Sequence, residues 1–540
     1  MFKSKLLKSL ALGTGILLVT ACGTDSEGTP AAEVEVDARY EIDESTPAWK
    51  IDPKEEMTEL TWYVNASWWN DSFGDDVVTK KIKEDLNVDI TFITGDDTNL
   101  NTMFAGDEMA DMVTIFDFNS QVAQQAETWA YSLNDLADQY DPYWYEASSD
   151  ETLDWYQLDN GKSYGYPSYS NTSDDYESGL IPANTGFLIR KDVYEKIGEP
   201  SFSTPEEFNE NLSKINEEFP ELTPFGFNTM EDGAGSLGGT FQNFLGVPIE
   251  DEDGSYYNRN LDDSYLTWIG ALREAHTNGN LSDDSFADDS TTFEEKIGSG
   301  EYATIMSAGT AQMSGFLQSF MASNPDAQYI AIDGPQSTVG NEPTLNQSGI
   351  TGWMINYISQ EASDPAKAMQ VFTYLQSEEG QLLTTYGIEG ETYEYNDEGK
   401  IELLPEIQEL RDNDADSFKQ EIRIGEFIFF GHDKYQSLAS ESNRTPALIQ
   451  PREWGEGKLK PQFILENTDP EPGSAEARTL TSIDAEWVTT LVGLIRSGSE
   501  DEFNTILENH KQFLEDNNME SIEQVRTEKM NENRERLGIE

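Results

Sequence analysis

Between residues 60 and 116 the chain alternates strand patterns with helix patterns. Short runs of β-branched and aromatic residues are separated by segments with apolar residues at helical spacing, as in Val78, Ile82 and Leu86. The predicted strands are Leu60–Val64, Val88–Phe92 and Met112–Phe116, and the predicted helices are Asp75–Leu86 and Leu100–Ala105. This order favours a parallel, doubly wound α/β sheet, in which ligands lie beyond the carboxyl ends of the strands.

The chain is strongly acidic along its whole length. It has 103 Asp and Glu against 34 Lys and Arg, a formal net charge of −69, so we expect no nucleic-acid binding and no basic lipid-binding patch. Its 11 Trp, 23 Tyr and 26 Phe are too many for a disordered acidic chain, and 540 residues suffice for several cores. With one Cys and three His, a Cys-rich zinc site and a disulfide scaffold are excluded. The Asp251–Gly254 loop lacks the ligand positions of an EF-hand, so we expect no metal site and no cofactor, and weak cation binding by surface carboxylates stays open.

Residues 1–22 have the pattern of a bacterial lipoprotein signal peptide. Three lysines precede a mostly apolar run too short to span a membrane, and Val19–Cys22 resembles a lipobox. In such signals the cysteine carries diacylglycerol and becomes the mature N-terminus, so we expect lipidation at Cys22. An ordinary secretory signal with an incidental cysteine is the alternative. Loss of the three lysines would leave 31 cations against 103 carboxylates, a net charge of −72.

The segment after the signal predicts a spacer. Gly23–Ser45 is rich in Asp and Glu, has Arg39 as its basic residue, and contains few large apolar residues. Such a stretch buries too little surface to offset its ordering entropy. We therefore predict a disordered acidic tether over residues 23–56 and a folded region that begins near Met57.

Motifs along the rest of the chain carry a family resemblance. Phe104–Met112 is similar to a "small-Gly-Asp-x-x-x-Asp" motif, and Asn160–Pro167 to a "DGKxYGxP" motif with Asn in place of the leading Asp. Gly186–Asp192, Thr204–Phe208 and the hairpin Tyr386–Lys400 match in the same order. Together these segments resemble the family 1 extracellular solute-binding lipoproteins of ABC importers, in the long carbohydrate-associated branch of Gram-positive bacteria.

The resemblance implies a two-lobe periplasmic-binding-protein-like fold of type II, with a hinge and a ligand cleft between the lobes. We assign residues 57–182 and 308–375 to lobe one, and residues 183–307 and 376–540 to lobe two. The implied function is capture of a carbohydrate, expected to be an oligosaccharide, by hinge closure and its delivery to ABC permease subunits. We expect a monomer on the extracellular face of the cell membrane, held there by the lipid anchor alone.

Sugars have apolar C–H faces and a rim of hydroxyl groups, so aromatic and polar side chains in loops are the candidate ligand contacts. The candidates are Asn65, Trp68 and Trp69 after the first strand, Asp117 after the third strand, Tyr169 after a turn, and Trp353. Turn formation, helix capping or core packing are the alternative roles for these residues. Trp62, Trp268 and Trp487 lie in periodic segments and are predicted to be core residues.

Other functions remain open at this point. A surface lipoprotein that binds a peptide or another non-sugar solute fits the same composition. A glycoside hydrolase would use paired carboxylates, but close pairs arise by chance among 103 acidic residues, and His276, His432 and His510 form no catalytic motif. We therefore predict a binding protein rather than an enzyme. The acidic surface further predicts stability that rises with added salt.

Overall fold

The structure is a computed structural model that describes residues 39–118, 120–158, 160–228, 230, 235–345, 349–440 and 444–539. The predicted signal peptide with Cys22, and the first part of the predicted tether, lie outside the described residues. The strands are β1 (Thr58–Val64), β2 (Val88–Thr94), β3 (Met112–Ile115), β4 (Gly165–Ser168), β5 (Thr185–Arg190), β6 (Thr223–Phe227), β7 (Tyr302–Ala308), β8 (Tyr329–Ile332), β9 (Met354–Ile358), β10 (Tyr393–Tyr395) and β11 (Ile401–Leu403).

Helices occupy most of the chain between these strands. In order they are α1 (Val77–Leu86), α2 (Asp97–Gly106), α3 (Gln121–Gln124), α4 (Ala126–Trp129), α5 (Leu133–Tyr140), α6 (Trp144–Ala147), α7 (Asp150–Trp155), α8 (Ser173–Ser178), α9 (Lys191–Ile197), α10 (Pro205–Glu218), α11 (Gly239–Phe244), α12 (Asp263–Thr277), α13 (Ser290–Ser299), α14 (Ser314–Ser323), α15 (Pro365–Gln376), α16 (Glu378–Tyr386), α17 (Pro405–Asn413), α18 (Ala415–Ser417), α19 (Pro446–Gly455), α20 (Ala475–Arg496), α21 (Glu500–Asp516) and α22 (Met519–Leu537). Within the described ranges no helix combines the length and the apolar character needed to cross a bilayer.

The strands form two mixed sheets and a hairpin. The first sheet has the order β2-β1-β3-β9-β4, and β1 pairs in parallel with both β2 and β3, as the β-α-β-α-β pattern predicts. The strands β9 and β4 join it antiparallel. The second sheet has the order β6-β7-β5-β8, in which β6 and β7 are parallel and β5 is antiparallel to both of its neighbours. The strands β10 and β11 form the hairpin.

Each sheet separates two apolar clusters because successive side chains of a strand point to opposite faces. In β1, Trp62 belongs to one cluster and Tyr63 to the other. In β5, Phe187 and Leu188 divide in the same way. The tryptophans predicted to be core, Trp62, Trp268 and Trp487, are buried.

Two chain segments pack differently from the predicted lobe ranges. Strand β8 was assigned to lobe one, but it pairs with β5 in the second sheet, where Phe187 lies opposite Ile332. Residues after 375 were assigned to lobe two, but Phe427, Phe429 and Phe430 lie in the core of the first sheet. The ring of Phe429 stacks on Trp62 with the ring centres 4.0 Å apart. Strand pairing thus decides where β8 lies, and packing of aromatic residues decides where residues 427–430 lie.

The predicted tether is wrong for residues 39–56, which pack against the first sheet's helices. Arg39 binds Asp52 at 2.8 Å and Asp364, the N-cap residue of α15, at 3.1 Å. Asp52 in turn lies 3.1 Å from the buried ammonium group of Lys367. The backbone N–H of Ala48 donates to the buried carboxylate of Asp141 at 3.0 Å. Paired charges therefore hold a segment whose acidic composition alone predicts disorder.

The sequence predicts N-caps at Thr204 and Asp364, each followed by proline, and at Thr292, which is followed three residues later by Glu295. The structure follows two of these three signals. Thr204 forms a capping box with Glu207 at the start of α10, and Asp364 caps α15 just before its proline. The third predicted cap, Thr292, is wrong. The N-cap residue of α13 is Asp289, whose carboxylate accepts from the N–H of Thr292, so the helix begins one turn earlier.

Candidate functional site

Four strands of the first sheet begin or end on the same side of the sheet, at its strand ends. We call this line of strand ends the first edge. β1 and β3 are parallel, so their carboxyl ends, Val64 and Ile115, lie together. Because β9 runs antiparallel to β3, its first residue, Met354, is on the same edge, and Ser168 at the end of β4 lies opposite it. The loops that follow or precede these residues contain all six predicted ligand contacts. Strand pairing therefore brings separated parts of the chain to one edge.

Three aromatic side chains gather on the first edge. The indoles of Trp68 and Trp353 are stacked, with ring centres 6.4 Å apart and an interplanar angle of 22°. Phe116 lies 6.1 Å from the first and 5.2 Å from the second. Trp68 is 64% exposed and Trp353 is 40% exposed. We call this trio the aromatic platform, since it presents flat apolar surface to solvent at a sheet edge where polar loops also converge.

The second tryptophan of the loop lies beneath the platform. Trp69 is 7% exposed and packs against Phe429, with ring centres 4.7 Å apart. Its indole N–H has no hydrogen-bond partner among the described residues. Of the two adjacent indoles, Trp68 is thus the one that is open to solvent, and Trp69 anchors the loop in the core.

A buried arginine holds the loop that carries both tryptophans. Arg423 donates to the backbone carbonyl of Asn70 at 2.5 Å and also to that of Ser72. Its guanidinium lies 3.5 Å from the carboxylate of Asp76, the N-cap residue of α1. Burial lowers the pKa of Arg423, and the nearby Asp76 opposes that effect. Sequence reasoning missed Arg423, because no local pattern links it to a loop so far away in the chain.

Asn65 and Asp117 flank the platform. The amide of Asn65 donates to Asp97 at 2.6 Å and accepts from the hydroxyl of Tyr63 at 3.1 Å. Burial raises the pKa of Tyr63 to about 12, so this hydroxyl remains a donor. Asp117 is exposed, and its backbone carbonyl accepts from the N–H of Ser120. These loops therefore place amide and carboxylate groups beside the aromatic rings.

Tyr169 lies at the start of a connection between the sheets. Its φ of +51° places it in the left-handed region, and its N–H donates to the carbonyl of Gly431 at 2.6 Å. A Cβ on Gly431 would come within 2.7 Å of the Tyr169 ring, so the ring rests on the glycine. Burial raises the pKa of Tyr169. The side chain is half-buried, and its contact with Gly431 supports the connection.

The backbone before Trp353 is fixed by a half-buried carboxylate. Glu466 accepts from the N–H groups of Ile350 at 3.2 Å and Thr351 at 2.7 Å. A Cβ on Gly349 would lie 1.6 Å from this carboxylate, so the close approach requires glycine. Burial raises the pKa of Glu466, whereas the hydrogen bonds to Thr351 lower it.

Two connections join the first edge to the corresponding edge of the second sheet. The first crossing, residues 169–184, runs from the end of β4 to the start of β5, and the second crossing, residues 333–353, runs from the end of β8 to the start of β9. Asn171 donates its N–H to the carbonyl of Gly349 at 3.0 Å, so the crossings are bonded to each other. Asn184 and Asn243 line a cavity of about 170 Å³ at the second sheet's edge. The strand ends with the candidate contacts are thus also where the chain passes between sheets.

Solved structures match the chain over most of its length. An extracellular solute-binding protein from Bifidobacterium longum subsp. infantis is 14% identical, with a TM-score of 0.66 and coverage of 88% of this chain and 98% of the other. The alginate-binding protein AlgQ2 without calcium ion is 16% identical with a TM-score of 0.63, and it covers 88% of this chain and 99% of its own.

A third similar structure is the S. pneumoniae ABC-transporter substrate binding protein FusA in complex with kestose, which is 13% identical with a TM-score of 0.63. The match covers 88% of this chain and 99% of FusA. No curated protein matches the chain. The structural likeness confirms the predicted two-lobe α/β fold. The family described as bacterial extracellular solute-binding protein matches residues 67–382, more than half of the chain, so this protein belongs to that family.

Proposed function

We propose that this protein is the substrate-binding component of an ABC importer and captures an oligosaccharide at the first edge. The observation that carries the proposal is the exposed stacking of Trp68 with Trp353 beside Phe116. Aromatic rings of this kind cover the apolar C–H faces of a sugar ring, while Asn65 and Asp117 would bind its hydroxyl groups. Tyr169 would contribute from the first crossing, and Trp69 would support the loop from below.

Closure of the two lobes would supply specificity. When water leaves the cleft, a polar group left without a partner costs about 1–3 kcal/mol, so a sugar with misplaced hydroxyls is rejected. The ligand favours the closed state only through the contacts that it gains there. The first crossing begins at Tyr169 and the second ends at Trp353, which supports a hinge next to the bound sugar.

The similarity to the alginate-binding protein AlgQ2 and to FusA in complex with kestose supports a carbohydrate ligand. Because FusA is the substrate-binding protein of an ABC transporter, the similarity also supports delivery to permease subunits. Lipid anchoring through Cys22 on the outer face of the membrane, and a monomeric state, remain parts of the proposal that rest on the sequence. A peptide or another non-sugar solute is the second candidate ligand, because an aromatic platform also binds apolar peptide side chains.

Calorimetry and thermal-shift measurements with oligosaccharides and with peptides test this proposal, and chromatography of the sugar afterwards tests for turnover. We expect saturable binding of an oligosaccharide that is recovered intact. Binding of peptides alone would favour the second candidate. Shortened sugar products would instead make the protein a hydrolase and overturn the proposal.

A further inference from the structure

A cavity of about 430 Å³ lies between the first sheet and the C-terminal helix α22. Its volume falls in the range of about 300–1,000 Å³ that is typical of small-molecule sites. Gly165, Ile355 and Tyr357 of the neighbouring strands β4 and β9 line it on one side, and Lys529 and Glu532 of α22 line it on the other. A Cβ on Gly165 would come within 2.7 Å of the Ile355 and Tyr357 side chains, so a larger residue at this position would collide with them.

The cavity is lined by residues close in the chain to the aromatic platform. Phe118, which lines it, follows Phe116 by two residues. The ring of Tyr156, also in the lining, lies 6.2 Å from that of Phe118. The Tyr156 hydroxyl donates at 2.6 Å to the carbonyl of Thr351, two residues before Trp353. One wall of the cavity is thus built from the same two chain segments as the platform.

The lining suits an uncharged, hydroxyl-rich ligand. It combines aromatic rings with the amides of Gln124 and Gln157, which can both donate and accept hydrogen bonds. Lys529 is paired with Glu471 at 2.7 Å. The carboxylates of Glu127 and Glu532 add negative charge.

The second cation of the lining does not change this balance. Arg536 donates to the backbone carbonyl of Trp155 at 2.9 Å and lies over that indole. Among the charged residues that line the cavity, carboxylates outnumber cations. Asp97, which binds Asn65, and Asp117, which follows Phe116, are acidic as well. A sugar that bears a carboxylate or sulfate would meet repulsion at both places.

We propose that this cavity is a second sugar subsite, which holds a neutral unit of the same oligosaccharide whose other end stacks on the platform. The inference rests on the proposed function and narrows it to neutral oligosaccharides longer than two units. Helix α22 packs on α20 and α21 and also contacts α7. A sugar in the cavity would therefore touch both the strands of the first sheet and a helix that packs with α20, which lies in the core of the second sheet.

The test compares chain lengths in calorimetry. The probes are cello-, xylo-, malto-, manno- and fructo-oligosaccharides of two to six units, with oligogalacturonates of the same lengths. For one neutral series we expect affinity to rise at least tenfold from two to five units. Ala123→Trp, which fills the cavity, should remove that gain and leave disaccharide affinity unchanged. Ala105→Trp, on the exposed surface of α2, should keep the gain.

Different results of this experiment contradict the proposed function and the second subsite. If none of the probes binds wild-type protein, the proposed function itself fails. If sugars bind but Ala123→Trp retains the length dependence, or if oligogalacturonates bind as tightly as neutral sugars, the second subsite is refuted. Circular dichroism checks the fold of the variant. If Ala123→Trp does not fold, the double variant Gln157→Ala with Glu532→Ala replaces it, with Glu528→Ala on the same helix as control.

Discussion

The indole of Trp68 lies nearly parallel to that of Trp353, although one follows β1 and the other precedes β9. Two large aromatic side chains that meet while exposed leave apolar surface in water, which folding by itself does not favour. The loop that Arg423 binds keeps Trp68 in place, and the turn that the Glu466 carboxylate binds keeps Trp353 in place. Such an arrangement is expected of a surface that is covered when ligand binds.

Removal of either stacked indole should weaken sugar binding. We expect Trp68→Ala and Trp353→Ala each to reduce affinity about tenfold or more, which corresponds to about 1.4 kcal/mol. Calorimetry with the sugar identified in the screen measures this loss. Tyr395→Ala is the matched control, because this residue is an exposed aromatic on the separate hairpin. Wild-type affinity in both tryptophan variants would contradict the proposed site.

Loss of the Arg423 side chain should destabilise the fold and loosen the platform. Arg423→Met leaves Asp76 and two loop carbonyls without this donor, and breaking a buried ion pair costs about 3–5 kcal/mol. Urea denaturation gives the free energy of unfolding. Lys419→Ala, which removes an exposed pair with Glu426, should change it by less than about 1 kcal/mol. Equal losses of unfolding free energy in the two variants would show that the Arg423 contacts stabilise the fold no more than an exposed ion pair does.

The segment 39–56 should contribute to stability. A chain that begins at Met57 lacks Asp52 and leaves the buried ammonium group of Lys367 without its carboxylate, so we expect a loss of about 3 kcal/mol. A chain that begins at Arg39 keeps the pair and serves as the control. Denaturation curves of the two chains that coincide would mean that the segment is only loosely held.

Asp141 should make stability fall as the pH rises. Burial raises the pKa of its carboxyl group from 3.8 to about 7. Between these values the folded state binds more protons than the unfolded state, so the free energy of unfolding decreases with increasing pH. In Asp141→Asn this contribution is absent. We expect the variant to gain stability over wild type, by a few kcal/mol, as the pH rises from about 4 to about 7. A constant difference across that range would contradict the raised pKa.

Salt should stabilise this protein. The 103 acidic residues far outnumber the 34 basic residues, so negative side chains repel one another at low ionic strength. At 0.1 M salt, the interaction between charges more than about 10 Å apart is largely screened. We expect the melting temperature to rise between low and molar NaCl. A melting temperature that is unchanged or lower in molar NaCl would mean that the attractive ion pairs outweigh the net repulsion.

The sequence by itself determined the features that depend on neighbouring residues. The period of apolar residues predicted β1 to β3 and the helices between them, and the capping box at Thr204 predicted the start of α10. Both signals are local, since helix and strand periodicity and N-caps involve side chains a few positions apart. Trp68 could be chosen as a candidate because it lies beside a second tryptophan in a polar loop.

Only the tertiary structure decided which candidates meet and what supports them. The antiparallel pairing of β9 with β3 sets Trp353 beside Phe116, whereas Trp69 is drawn into the core by Phe429. The ion pairs of Arg39 with Asp364 and of Asp52 with Lys367, like the Arg423 contacts, join positions hundreds of residues apart. Strand register and buried charge pairs are free-energy balances of the whole folded chain, so no local pattern encodes them.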